Sequence, residues 1–115
     1  MSAKLSTHVL DTKNGIPAAG VKIELFEITD EGNLLHTTAT TNCDGRTDSP
    51  LLSVDTMKEG DFLLKFHIGD YFYDSAEEAP FLSIIPIQFR VNDASAGYHV
   101  PLLASPWSYS TYKGN

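Results

Sequence analysis

The sequence predicts an all-β fold, an antiparallel β-sandwich of about eight strands with one short helix. Two patterns carry that expectation: apolar residues at every second position, and Gly, Asn and Asp turn signals between such runs. Val21, Ile23 and Leu25 alternate with Lys22 and Glu24, giving one buried face and one wet face. Phe62, Leu64, Phe66 and Ile68 alternate with Lys65 and His67, and Ile85, Ile87, Phe89 and Val91 with Gln88 and Arg90.

Weaker strands are expected over residues 5–11, 34–41, 52–54 and 98–104, with a short last one near 108–112. Asn14-Gly15, Asp30-Glu31-Gly32, Asp44-Gly45, Glu59-Gly60 and Asn92-Asp93 mark the turns between them. The helix is placed at Ser75-Ala76-Glu77-Glu78, which has capping-box spacing, and Pro80 and Pro86 confine it to about two turns. No repeat, low-complexity segment or linker interrupts residues 1–115, so one domain is expected. A sandwich this small leaves edge strands open, and pairing edges across subunits is one way to cover them. Tyr71, Phe72 and Tyr73, near the predicted sheet end, either serve such pairing or close the core.

With 42% hydrophobic and 20% charged residues, the 115-residue chain has the composition of a globular protein. Its net charge of −7 argues against nucleic acid and anionic membranes as partners, because the basic residues are scattered singly. The one cysteine, Cys43, has no internal disulfide partner, which fits a reducing compartment. Neither a signal peptide nor a membrane-length apolar run is visible, and Lys113-Gly114-Asn115 is not a peroxisomal address. The cytoplasm is therefore expected.

Few side chains invite chemistry. His8 and His99 each sit in a strand, and Arg46 follows the tight Asp44-Gly45 turn. A neutral imidazole can take a proton from water as that water attacks a carbonyl. A guanidinium stays charged and can stabilise a developing oxyanion. Periodicity and spacing do not say whether these three distant segments converge. His36 and His67 read as solvent-facing. No histidine pair has close metal-ligand spacing and one cysteine cannot build a structural zinc site, so no metal is expected. Ser105, Ser108 and Ser110 lack a Gly-x-Ser-x-Gly elbow, and there is no Gly-rich phosphate loop.

Three blocks resemble the 5-hydroxyisourate hydrolases, the transthyretin-like enzymes of urate breakdown. They are Leu5-Ser-Thr-His-Val-Leu-Asp-Thr12 with Gly15-Ile-Pro-Ala-Ala-Gly20, then Thr41-Asn-Cys-Asp-Gly-Arg46, then Tyr98-His-Val-Pro101 with the tail to Asn115. The resemblance covers nearly the whole chain. It implies a transthyretin-like sandwich, an active site of His8, Arg46 and His99, and a tail whose Tyr112 lines that site. It also implies a homotetramer with sites at the dimer–dimer interface, and cofactor-free hydrolysis of 5-hydroxyisourate to 2-oxo-4-hydroxy-4-carboxy-5-ureidoimidazoline.

Three positions depart from the family pattern. Lys113 stands where arginine is usual and loses the bidentate fork. Asn115 replaces a terminal hydroxyl residue, and Ala104 replaces leucine. His8, Arg46, Tyr112, Lys113 and Asn115 are the substrate-binding residues the resemblance implies. Either histidine fits the base and either the acid. A non-catalytic transthyretin-like module that binds a small ligand is the alternative reading, since fold alone does not settle function. The carrier transthyretin lacks the histidine, arginine, histidine set, which this chain keeps.

Overall fold

A computed structural model describes residues 3–114. Two layers of strands enclose one apolar core. In the first layer, β4 (Lys22–Thr29), β5 (Gly32–Thr40), β6 (Gly60–His67) and β7 (Ile84–Val91) form an antiparallel sheet in the order β5-β4-β6-β7. The alternation that predicts these strands decides what they bury. Ile23 and Leu25 of β4, Phe62, Leu64 and Phe66 of β6, and Ile85 of β7 are fully enclosed. Each such side chain removed from water contributes about 1.5–3 kcal/mol.

The opposing layer is built from short pieces. β1 (Leu5–Ser6) and β2 (Val9–Asp11) are one extended segment, as are β8 (Tyr98–His99) and β9 (Leu102–Ala104). These two segments run parallel, Leu5 opposite Tyr98, Ser6 opposite His99 and Val9 opposite Leu102. Outside them lie β3 (Ile16–Pro17) beside β2 and β10 (Tyr109–Thr111) beside β9, both antiparallel. Between the pieces the Val100 amide donates to the Ser6 carbonyl at 2.9 Å, while the buried Thr7 hydroxyl occupies the Val100 carbonyl at 2.7 Å. Leu5 and Val9 point into the core while Ser6, His8 and Leu10 lie on the other face.

The sandwich with one short α-helix stands as expected, but details differ. The parallel pairing is absent from a purely antiparallel reading, and β3 has too few residues to show a pattern. Residues 52–54 are not a strand: Leu52 makes one isolated bridge to Leu5, and the chain then turns. The helix α1 is Ile68–Phe72, directly after β6, so Ile68 ends the alternation as a helical residue. Its Gly69 is buried with its amide on the Ser83 carbonyl at 2.8 Å, where a Cβ would stand 3.1 Å from the Ser83 hydroxyl. Ala76–Glu78 is a single 3₁₀ turn, and Ser75 makes no side-chain cap bond.

Tyr71 and Phe72 close the core rather than face outward, packed edge to face at 4.8 Å. The Tyr71 hydroxyl donates to Asp11 at 2.8 Å, and Asn14 donates to the same carboxylate from its amide and its backbone. Burial opposes ionisation of Asp11, but the combined hydrogen bonds from Asn14, Tyr71 and the Lys13 backbone hold its carboxyl below the ordinary 3.8. Burial, then the bond to Asp11, pushes the Tyr71 phenol up to about 12. This network pins α1 to the end of β2.

Candidate active site

A turn presents Arg46 to the strand that carries His8. The Asn42 side-chain oxygen accepts from the amides of Asp44 at 2.9 Å and Arg46 at 3.2 Å, while the Asn42 amide donates to the Arg46 carbonyl at 2.7 Å. Gly45 closes the turn at φ 77°, where a Cβ would stand 2.4 Å from the Val9 carbonyl oxygen. The Val9 amide donates to Gly45 at 2.8 Å, and Arg46 forms an antiparallel bridge with His8.

His99 joins from the other side. It pairs with Ser6, and the Leu102 amide donates to the His8 carbonyl at 2.9 Å, locking the two segments in register. The tail then adds a fourth row, with the Gly114 amide on the His99 carbonyl at 2.7 Å. Arg46, His8, His99 and Gly114 thus lie on neighbouring rows of backbone, so the three sequence-predicted residues that periodicity left apart are brought together.

Each imidazole is tethered at one nitrogen. His8 Nε2 lies 2.8 Å from the Asp44 carbonyl oxygen, which can only accept, so that nitrogen carries the proton. His99 Nδ1 lies 2.9 Å from the Ser6 hydroxyl. Burial, followed by the positive fields of Arg46 and His8, holds His99 below its ordinary 6.5; the Ser6 backbone opposes this and Lys4 adds to it. The shift favours the uncharged imidazole that a proton-abstracting role requires.

Lys4, Ser6 and Arg46 share a polar hollow of about 230 Å³ with Thr47 and Ser49. Ser6, Lys4 and the Asp44 carbonyl are site features that sequence reasoning missed, whereas Gly114 belongs to the tail that the resemblance sets beside the site. Ser6 alone left a signal, since it stands two residues before His8 on the same strand face.

Tyr112 and Lys113 line a different hollow, of about 210 Å³, with Ile87, Phe89 and Arg90 of β7. The Lys113 ammonium stands 5.1 Å from the centre of the Tyr98 ring, whose hydroxyl is tied to Asn92 and Asp93. Asn115 lies outside the described residues. His36 is exposed as expected, but His67 is not solvent-facing: it is half-buried, with Nε2 2.6 Å from Glu24. That bond is the main cause holding the Glu24 carboxyl below its ordinary 4.5. Among the described residues, no group of three or more His, Cys, Asp and Glu side chains is arranged to hold a metal ion.

Residues 5–114 match the model of the HIUase/Transthyretin family. The chain belongs to this family. A 5-hydroxyisourate hydrolase of Deinococcus radiodurans is 49% identical to it, over 96% of this chain and 95% of that protein. Among solved structures, an (S)-allantoin synthase superposes with a TM-score of 0.89 at 37% identity, covering 99% of this chain. The chain spans 44% of that synthase. The 5-hydroxyisourate hydrolase of Klebsiella pneumoniae superposes with a TM-score of 0.82 at 28% identity, covering 98% of this chain and 99% of that one. Within the HIUase/Transthyretin fold, the His8, Arg46 and His99 rows lie on the outer face of the layer built from β1, β2, β8 and β9.

Proposed function

We propose that this chain hydrolyses 5-hydroxyisourate, with His8, Arg46 and His99 as the catalytic residues. Full-length identity to hydrolases of that name supports the substrate. The observation that carries the residue assignment is the Arg46–His8 bridge beside the Ser6–His99 pair, which sets a guanidinium and two imidazoles on adjoining rows. A water oxygen bonds to the lactam carbonyl carbon while one imidazole takes its proton. Arg46 holds the oxyanion as charge develops. The carbon–nitrogen bond then breaks, the second imidazole protonates the leaving nitrogen, and the ring opens to a carboxylate. No cofactor enters this balance.

Tyr112, Lys113 and Asn115 are proposed as substrate contacts supplied in the assembled oligomer, which we propose to be a homotetramer with sites at a dimer–dimer interface. The open edges of β7 and β10, and the stacked Phe81 and Trp107, 66% and 61% exposed at 6.0 Å, support such an assembly. The proposed compartment is the cytoplasm, in keeping with the exposed free thiol of Cys43.

The experiment generates 5-hydroxyisourate in situ and follows its ultraviolet decay with and without the protein. Decay should accelerate, and His8→Asn, His99→Asn and Arg46→Gln should each lower kcat/KM by about 100-fold or more. Decay at the spontaneous rate would defeat the hydrolase reading in favour of a ligand-binding module. Sedimentation at a monomer mass would defeat the tetramer.

A further inference from the structure

His99 is fixed by two neighbours. Its Nδ1 meets the Ser6 hydroxyl at 2.9 Å, and Gly114 lies so close to its Cδ2 that a Cβ there would stand 2.7 Å away. Among the described residues Ser6 Oγ has no other hydrogen-bond partner and Nε2 has none at all. A serine hydroxyl rotates to donate or to accept, so the tautomer of His99 is decided by what surrounds the ring.

We infer that Ser6 is a positioning residue: its hydroxyl accepts from Nδ1–H of His99 and leaves the Nε2 lone pair free to take the proton of the attacking water. This rests on the proposed hydrolysis and assigns the base within it. The Ser6 backbone also bonds the ring, and a backbone carbonyl can only accept, so the ring nitrogen beside Ser6 carries the proton. His8 is held in the opposite state, with its proton on Nε2 donated to the Asp44 carbonyl at 2.8 Å. The two imidazoles therefore carry unlike tautomers. His99 is the base; His8 takes a proton from solvent at Nδ1 and gives it to the leaving nitrogen, and His99 returns its own proton to solvent.

The inference also explains why one face of β1 bears a hydroxyl. Ser6 is in register with His99 across a parallel ladder, and side chains at paired positions of one face come within hydrogen-bonding reach. A methyl group at position 6 would remove the hydroxyl partner and leave Nδ1 only its weaker contact with the backbone of residue 6, in a half-buried place. Both neutral tautomers would then populate, and only one of them has the basic nitrogen where water can reach it.

The test is ¹⁵N imidazole NMR of the full chain at pH 8, without substrate, on wild type, Ser6→Ala and Ser6→Thr, with His99 assigned by its loss in His99→Asn. Wild type and Ser6→Thr should show a protonated Nδ1 and a pyridine-like Nε2, and Ser6→Ala a tautomer mixture. In turnover, Ser6→Ala should lose about 10- to 100-fold in kcat with KM within about twofold, and Ser6→Thr should recover it. A protonated Nε2 in the wild type would overturn the inference, as would a Ser6→Ala variant unchanged in tautomer or in kcat. The NMR needs no substrate, so a failure of hydrolysis itself would register separately in the wild-type assay.

Discussion

Gly114 lies against the imidazole of His99, its amide donating to the His99 carbonyl at 2.7 Å. A Cβ at this position would stand 2.7 Å from Cδ2 and 3.3 Å from Cβ of the histidine, so any side chain must displace the ring. Gly114→Ala should lower kcat/KM for 5-hydroxyisourate by about 10-fold or more, because ring placement sets the geometry of proton transfer. Its denaturation midpoint should stay near wild type, since the residue lies beyond the last core strand. Steady-state kinetics beside urea melts check both halves.

Two glycines with positive φ should respond differently to alanine. Gly45 has φ 77° and would bring a Cβ to 2.4 Å from the Val9 carbonyl, so backbone must move and the His8–Arg46 bridge goes with it. Gly15, at φ 71°, has open space around it. Gly15→Ala should cost about 1 kcal/mol and Gly45→Ala more than about 2 kcal/mol. Urea denaturation of the two variants measures the gap.

The lowered pKa of His99 fixes the direction of the acid limb. A base must be neutral, so kcat/KM rises with pH as His99 loses its proton, and the midpoint should lie below 6.5. After burial, Arg46 is the largest cause of the shift, and it disfavours the imidazolium. Arg46→Gln should therefore move the His99 titration, followed by NMR, to higher pH. A titration unmoved or moved downward would contradict this placement of the guanidinium.

Asp11 ties β2 to α1 through Tyr71 and Asn14, and it is buried. Asp11→Ala removes the acceptor and strands the Tyr71 hydroxyl, costing about 2–4 kcal/mol. The folded pKa is below 3.8, so the ionised form contributes stability above that value and loses it as pH falls through the folded value. Thermal melts from pH 7 downward should show Asp11→Asn less sensitive to acid than wild type in that window.

Local patterns are legible where a residue's neighbours along the chain decide its environment. The alternation from Phe62 to Phe66 and from Ile85 to Ile87 identifies β6 and β7, because burial on one face of a pleat repeats every second residue. Ile68 continues that alternation, yet α1 begins there, since Gly69 must pack against Ser83. Ser75 and Glu78 meet as side chains at 3.5 Å and through the Glu78 amide on the Ser75 carbonyl at 3.1 Å, without a side-chain cap bond, and their three-residue turn is too short to repay helix nucleation.

By itself, the sequence determined the sandwich, the four turn-bounded strands of the larger sheet, and the family to which His8, Arg46 and His99 belong as a set. Only the tertiary structure decided that these residues adjoin. The rows that unite them are a parallel pairing of residues 5–11 with 98–104, a bridge from His8 to Arg46 and another from His99 to Gly114. Each joins segments far apart in the chain through backbone hydrogen bonds, which every residue can accept and every residue but proline can donate, and which therefore leave little trace in residue type. The same holds for Ser6. Its identity is written in the sequence, but its place beside His99 Nδ1 comes from register alone.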